Sequence, residues 1–231
     1  MNIIKSNMTK LSSSLVLNKY ILNLVGVSDL EAISRDLKDA SIEGYNENNI
    51  SYFHHALVAK LFSNQNLPKE LLLHYDQNIY SHTVAISGKR DEPIRWKYFQ
   101  YMALLFTEIY LDKYFSEKNV LKDQLNDFMA LHHGRDKNDF SAITDYRLET
   151  IITDLNKLAY WNATGSGKTL IMHINILQYR YYLKLHNIET VSYTHLDVYK
   201  RQLYSLSKGF LKGKNGGHCF MKTNINLLNL I

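Results

Sequence analysis

Residues 162–169 carry the strongest structural signal in this chain, the sequence Asn-Ala-Thr-Gly-Ser-Gly-Lys-Thr. Phosphate-binding loops contain a Gly, four free positions, and then Gly-Lys followed by Ser or Thr. Gly167, Lys168 and Thr169 match the end of that pattern, and Asn162 stands where the first Gly is usual. The segment therefore predicts a loop that binds the phosphates of a nucleotide.

Each residue type in this segment has a physical role in the predicted loop. Gly165 and Gly167 can take backbone angles that turn successive amide groups inward, because no Cβ stands in the way. Lys168 would place a positive charge on the β and γ phosphates, and the hydroxyl of Thr169 would bind Mg²⁺ held by the nucleotide. The helix that follows adds the positive end of its dipole. No catalytic residue is predicted, and the predicted cofactor-binding residues are Thr164, Gly165, Ser166, Gly167, Lys168 and Thr169.

The residues on both sides of the segment favour the same interpretation. Residues 158–161, Leu-Ala-Tyr-Trp, form a short apolar and aromatic run, which predicts a buried strand. After the loop, apolar residues recur at spacings of four, three and four, which predicts a helix over residues 168–185. Strand, glycine loop and helix in this order are the context of a phosphate-binding loop. The alternative is a glycine-rich turn that contains Lys-Thr by chance.

Residues 163–169 resemble motif I of the superfamily 2 helicases and translocases. The likeness is strongest to the branch that contains DEAD/DEAH-box family proteins and the motor subunits of type III and type I restriction enzymes. It extends over residues 155–185, and a weaker likeness covers residues 95–115, in the segment upstream of the motor in such proteins. Members of this branch often carry Met at the position of Asn162, which contributes mostly its backbone.

The resemblance implies an α/β P-loop (RecA-like) motor, of which this chain would contain only the first strand, loop and helix. The resemblance places the start of a helicase ATP-binding domain at residues 141–190, after a helical N-terminal region (residues 1–140) and before a tail (191–231). It also implies ATP and Mg²⁺ as cofactors, and DNA and restriction-modification subunits as partners. So short a piece would support a sheet poorly, because parallel sheets need several strands covered on both faces.

Hydrophobic spacing and turn residues predict that the region before the loop is mostly helical. Ser28 and Glu31 form a Ser-x-x-Glu capping box at the start of one helix, and Pro68 suits the first position of another. Gly44 and Pro93 lie in polar segments that predict loops. The predicted helices cover residues 28–40, 50–64, 68–80, 94–114, 120–132 and 147–156.

Residues 191–202 resemble a translated sequencing-adapter sequence, so we expect an artefactual or disordered tail from about residue 191. The alternative is a genuine strand and turn, since Val191, Tyr193 and Val198 favour strands. The tail also holds the whole basic excess of the chain. The net charge of +5 comes from six Lys or Arg and one Asp after residue 190. The charge of residues 1–190 therefore does not support nucleic-acid or membrane binding.

The expected function is that of the ATP-binding N-terminal part of an ATP-dependent DNA helicase or translocase, with a restriction system as one candidate source. Hydrolysis in this class needs an Asp-Glu-x-His motif after the loop, whereas Asp91 and Glu92 precede it, so we expect no appreciable ATPase. Two alternatives stay open: another P-loop NTPase, such as a kinase or AAA-type ATPase, and a non-enzymatic helical module with a vestigial loop. Without a recognisable signal peptide or an apolar run of roughly 18 residues, we expect a cytoplasmic protein.

Overall fold

The structure, a computed structural model, describes residues 15–27, 30–61, 67–88, 90, 92–132, 151, 154–156, 158, 160 and 164–188. Seven α-helices lie within these residues, joined by short 3₁₀ turns at Ala40–Ile42 and Asp154–Asn156. The third continues into a π-helical turn at Leu57–Leu61. The helices are α1 (Val16–Leu24), α2 (Leu30–Leu37), α3 (Tyr52–Ala56), α4 (Lys69–Ser87), α5 (Tyr98–Ser116), α6 (Lys118–His132) and α7 (Lys168–Leu185).

Helix α5 forms the centre of the fold. Every residue from 101 to 111 is buried, including the polar Thr107 and Glu108. A helix that is apolar on all sides has to be covered on all sides, and α1, α2, α4, α6 and α7 all pack against α5. The most extensive of these interfaces is with α7, the helix that follows the predicted phosphate loop.

Most of the helices predicted from hydrophobic spacing are confirmed, with shifted ends. Helix α4 begins directly after Pro68 and continues to Ser87 instead of ending near residue 80. The side chain of Ser51 caps α3 by accepting the N–H of Phe53 at 3.1 Å, which fixes the start of that helix. Of the helix predicted over residues 147–156, the described part shows only the 3₁₀ turn Asp154–Asn156.

Helix α1 was not predicted from the sequence. Its Tyr20 packs edge-on against Phe128 of α6, with ring centroids 5.9 Å apart, and the Tyr20 hydroxyl donates to Gln124. The pattern that could have revealed this helix is the spacing of Leu17, Ile21 and Leu24 by four and three residues. Helix α1 thus packs against both α6 and α5.

The predicted α/β fold class is wrong for the described part of the chain, which is helical and contains no sheet. Its only β pairing is an isolated bridge between Tyr45 and Ser51. Leu158 and Tyr160, two residues of the predicted strand, lie outside any strand, and Trp161 falls outside the described residues. A strand requires the backbone of a neighbouring strand to satisfy its N–H and C=O groups, and no described segment provides one.

The described residues of the run that predicted the strand pack on the helical core instead. Leu158 and Tyr160 are partly buried against that core, and the Tyr160 hydroxyl lies 2.6 Å from Thr107 Oγ1 of α5. Hydrophobic burial is non-directional, so an apolar run can be covered by a helix as well as by a sheet. The predicted boundary near residue 140 and the whole predicted tail, residues 191–231, lie outside the described residues.

No helix among the described residues combines the length and the apolar character needed to cross a bilayer.

Candidate phosphate-binding site

The described part of the predicted loop, residues 164–167, forms a turn that leads directly into α7. Helix α7 spans Lys168–Leu185, which confirms the predicted helix over residues 168–185. Lys168 and Thr169 therefore occupy its first two positions, and both are exposed. Thr164 and Gly165 are also exposed, Ser166 and Gly167 are half-buried, and Asn162 and Ala163 lie outside the described residues.

The two glycines of the loop take the backbone conformation that the sequence motif requires. Gly165 and Gly167 both have φ of +81°, in the left-handed region that residues with a Cβ rarely adopt. They are separated by Ser166 alone. Left-handed residues at close spacing turn neighbouring amide groups toward one side of the chain, which makes a concavity suited to an anion.

The N-terminus of α7 is open to a negatively charged ligand. Gly167 precedes the helix, and no side chain caps it. The first turn contains no acidic residue whose carboxylate would neutralise the positive end of the helix dipole. The N–H groups of Leu170 and Ile171 donate back to the carbonyl oxygen of Gly167 at 2.9 and 3.1 Å. The N–H groups of Lys168 and Thr169, which precede these two, have no carbonyl acceptor within the helix.

Helix α5 holds the loop through the side chain of Gln100. Its Nε2 donates to the carbonyl oxygen of Ser166 at 2.8 Å, while its Oε1 accepts the N–H of Lys97 at 2.9 Å. A Cβ atom at Gly167 would lie 2.5 Å from Gln100 Nε2, whereas a Cβ at Gly165 would meet no atom within 4 Å. The backbone angle alone therefore disfavours other residues at Gly165, and at Gly167 the end of the Gln100 side chain would also have to move to make room for a Cβ.

The start of α5 is itself anchored, which fixes the position of Gln100. The Trp96 side chain is buried, and its Nε1 donates to Thr83 Oγ1 of α4 at 2.8 Å. Lys97 Nζ lies 2.9 Å from both carboxylate oxygens of Glu43. Because 55 % of the Lys97 side chain is exposed, water screens this ion pair and it adds little stability. The buried bond of Trp96 is the stronger anchor.

The chain that leads to the loop runs along α5 in the opposite direction to that helix. The Tyr110 hydroxyl donates to the carbonyl oxygen of Leu155, Thr107 contacts Tyr160, and Gln100 holds the loop at Ser166. Contacts therefore move toward the start of α5 as the chain advances toward the loop. Within the part of the chain that the structure describes, side chains of α5, and no sheet, hold the segment that leads to the predicted phosphate-binding residues.

A surface depression of about 700 Å³ opens beside the first turn of α7. Leu170, the residue after Thr169, lines one side of it. The other side comes from the segment that precedes α5 and contains two arginines and a glutamate. Its lining residues are Arg90, Glu92, Pro93, Ile94, Arg95 and Leu170.

Comparisons with models of known protein families, with curated proteins and with solved structures found no match to this chain. The geometry of the loop and the motif are therefore the basis for assigning a function.

The described residues contain no group of three or more His, Cys, Asp or Glu side chains arranged to hold a metal ion. The predicted role of Thr169 is different, because its hydroxyl would reach a Mg²⁺ ion that the nucleotide brings. That role stays a prediction.

Gln100 is the residue of this site that the sequence did not reveal. It lies 66 residues before Ser166, too far for any local motif to connect the two. The available signal was its position at the third residue of α5, where a Gln often turns back to the N–H before the helix. This position in the helix predicts the hydrogen bond to the Lys97 N–H but does not predict the hydrogen bond to Ser166.

Proposed function

We propose that this chain binds a nucleoside triphosphate, as its Mg²⁺ complex, through residues 164–169. The observation that carries the proposal is the pair of left-handed glycines directly before an uncapped helix N-terminus. Amide groups in such a turn bind phosphate oxygens, and the helix dipole favours their negative charge. ATP is the nucleotide we propose, because the motif resembles that of ATP-driven motors.

The proposed role of each side chain follows from its place in the loop. Lys168, exposed at the first position of α7, would reach the β and γ phosphates, and Thr169 would bind Mg²⁺. Ser166 Oγ is shielded from solvent and has no hydrogen-bond partner, so its hydroxyl can turn toward a phosphate oxygen. Gly165 and Gly167 would contribute backbone N–H groups.

The depression beside Leu170 supports the proposal because a nucleotide needs room beyond its phosphates. Its volume of about 700 Å³ lies within the range of roughly 300–1,000 Å³ that is typical of small-molecule sites. Arg90 and Arg95 outweigh Glu92 on its wall, which would favour an anionic ligand, since guanidinium groups bind phosphates and stack on aromatic rings.

We further propose that the chain is the ATP-binding part of an ATP-dependent DNA helicase or translocase, with a restriction-modification system as its setting. The resemblance of residues 155–185 to motif I and its surroundings supports this step. DNA as the partner follows from that resemblance, because the charge of residues 1–190 is balanced. We propose no catalytic residue within the chain.

The binding proposal can be tested by titrating the full chain with MgATP in a calorimeter. Lys168→Ala is expected to weaken binding roughly 10- to 100-fold, because a hydrogen bond to a charged group contributes about 1.5–3 kcal/mol. Lys184→Ala is the matched control, since it removes an exposed Lys from the other end of the same helix. It lies roughly 24 Å away at 1.5 Å per residue and should leave the affinity unchanged.

The same titration separates the alternatives. Absence of binding by the wild-type chain would favour the helical module with a vestigial loop. Equal losses in both lysine variants would point to general electrostatic attraction and contradict the loop assignment. Thr169→Val, which keeps the shape of the side chain but removes its hydroxyl, should weaken MgATP binding and leave binding in EDTA unchanged.

A further inference from the structure

The turn that precedes α3 is closed by the side chain of one asparagine. Asn46 Oδ1 accepts the N–H groups of Asn48 and Ile50, each at 2.9 Å. The backbone closes the same turn, because the N–H of Asn46 donates to the carbonyl oxygen of Ile50 at 2.9 Å. Asn49 takes a left-handed φ of +62° between them, which asparagine tolerates better than most residues. We call residues 46–50 the Asn46 turn.

The same side chain also reaches α3, where Asn46 Nδ2 lies 3.0 Å from His55 Nε2. The Asn46 turn decides which of these two atoms is the donor. Oδ1 has to face the two backbone N–H groups, because an amide nitrogen cannot accept from them. Exchanging the two ends of the amide would set its NH₂ against both N–H groups and break both hydrogen bonds. Nδ2 is therefore the donor, and His55 Nε2 must offer a lone pair.

The protonation state of His55 therefore determines whether this contact exists. A neutral imidazole has one bare nitrogen, whereas an imidazolium has two N–H groups and no acceptor. We propose that Asn46 and His55 form a latch between the Asn46 turn and α3, closed while His55 is neutral with its proton on Nδ1, and opened by a second proton at Nε2. In the protonated ring two donors face each other, and Asn46 cannot turn over without breaking its bonds within the turn.

The groups around the latch act in opposite senses. The carboxyl group of Asp76 on α4 is close enough for its charge to interact with His55. A negative charge favours the protonated ring, whereas the hydrogen bond from Asn46 favours the neutral ring. The ring centroid of His54 lies 5.8 Å from that of His55, and Glu47 in the turn is exposed. Among the described residues, no charged side chain of α2, which also packs on α3, forms a hydrogen bond or ion pair with His55; these side chains are Glu31, Arg35 and Asp36.

The latch lies at the start of α3, beside a cap that does not depend on it. Ser51 follows the turn, accepts the N–H of Phe53 through its side chain and donates its own N–H to Asp76 at 2.8 Å. His55 lies one helical turn later, and its N–H donates to the Ser51 carbonyl oxygen at 3.2 Å. Opening the latch leaves these bonds intact. The response to acid is therefore local: the Asn46 turn detaches from α3 while the helix persists.

The test follows His55 and the Asn46 turn by NMR in the full chain. The pH is lowered from about 8 to about 5, the range in which histidine side chains change their charge. At the upper end, correlations between ring protons and ring nitrogens should show a bare Nε2 and a protonated Nδ1. The backbone N–H signals of Asn48 and Ile50 should then shift in parallel with the protonation of His55. A proton on Nε2 at the upper end, or turn signals that do not follow His55, overturns the proposal.

His132 supplies an internal control with the opposite expectation. Its Nδ1 lies 2.8 Å from the carbonyl oxygen of Phe128, and because a carbonyl only accepts, Nδ1 carries the proton. A second proton enters at Nε2 and leaves that bond in place. The contact between the two rings, whose centroids are 4.1 Å apart, should persist in acid in nuclear Overhauser spectra, whereas the contact between the Asn46 amide and the His55 ring should be lost. Loss of both contacts would indicate general loosening and contradict a latch specific to Asn46 and His55.

Two variants change the donor and the acceptor of the latch in turn. Asn46→Asp can still accept the two backbone N–H groups, but it now also accepts a proton from His55 Nε2. In this variant His55 should carry its first proton on Nε2 and bind the second about tenfold more tightly or better, as expected beside a carboxylate. His55→Gln gives Asn46 an uncharged acceptor at every pH, so the turn signals should no longer respond to acid. An unchanged tautomer in the first variant, or an unchanged response in the second, would refute the latch.

Discussion

The contact between Gln100 and Gly167 predicts a specific difference between two alanine substitutions in the phosphate loop. Gly165 and Gly167 have the same φ of +81°, so each substitution forces an Ala into the left-handed region at a cost of about 1–2 kcal/mol. At Gly165 the new Cβ meets no atom within 4 Å, whereas at Gly167 it lies 2.5 Å from Gln100 Nε2. The Gln100 side chain must then move away from Ser166.

Displacing Gln100 breaks its 2.8 Å hydrogen bond to the Ser166 carbonyl oxygen, which contributes a further 0.5–1.5 kcal/mol or so. Gly165→Ala should therefore lower the free energy of unfolding by about 1–2 kcal/mol, and Gly167→Ala by about 1.5–3.5 kcal/mol. The assay is equilibrium unfolding in urea at fixed pH, monitored by circular dichroism because the described structure is helical.

The decisive comparison uses Gln100→Ala as a second background. Without the Gln100 side chain the steric conflict disappears, so Gly167→Ala should then cost no more than Gly165→Ala does. Gly165→Ala should cost the same in both backgrounds, because its Cβ has no contact with Gln100. Equal costs of Gly167→Ala with and without the Gln100 side chain would refute the reasoning, because the contact with Gln100 could then not contribute to the loss of stability.

Three other predictions concern catalysis, a buried acid and the gene. The purified chain should show no appreciable steady-state ATPase in a phosphate-release assay with or without DNA, and turnover that Lys168→Ala abolishes would contradict this. Burial raises the pKa of Asp76 from 3.8 to about 6. The proton on Asp76 therefore stabilises the folded state fully below pH 3.8, and this stabilisation is lost as the pH rises through 6. The free energy of unfolding of Asp76→Asn minus that of the wild type should therefore increase by about 3 kcal/mol between pH 3.5 and pH 7. A difference that does not change with pH would show that the carboxyl is ionised throughout. The source gene can be resequenced across codons 185–205. We expect the new reads to encode, in place of residues 191–202, a strand and the next helicase motif, with Asp-Glu-x-His further downstream. Reads identical to the present sequence would reduce the helicase proposal to phosphate binding alone.

The local parts of this structure were predictable from the sequence, because local rules determine them. Helix α7 has the predicted bounds, since apolar spacing defines its buried face and Gly167 ends the preceding turn. The left-handed angles of Gly165 and Gly167 likewise follow from the motif. In each case the signal and the structure lie within one helical turn of each other.

The parts that failed depend on distant residues. The run of residues 158–161 satisfied the rule for a buried strand, but a strand also requires a neighbouring strand, which no local pattern can guarantee. Leu158 and Tyr160 instead pack on the core around α5. The sequence of α5 contains no pattern that indicates which distant segment packs against it. The role of Gln100 was missed for the same reason, because its contact with Ser166 spans 66 residues.

The separation of these contacts along the chain has a consequence for folding. Gln100 meets Ser166 across 66 residues, and the bonds from Gln178 to Leu104 and from Tyr182 to Glu108 each span 74. Contacts between distant residues form late, because the intervening chain must lose its freedom before they can stabilise anything. A ribosome also releases α5 long before it releases α7. The proposed phosphate binding should thus appear late in refolding, after helix content has already reached its final value.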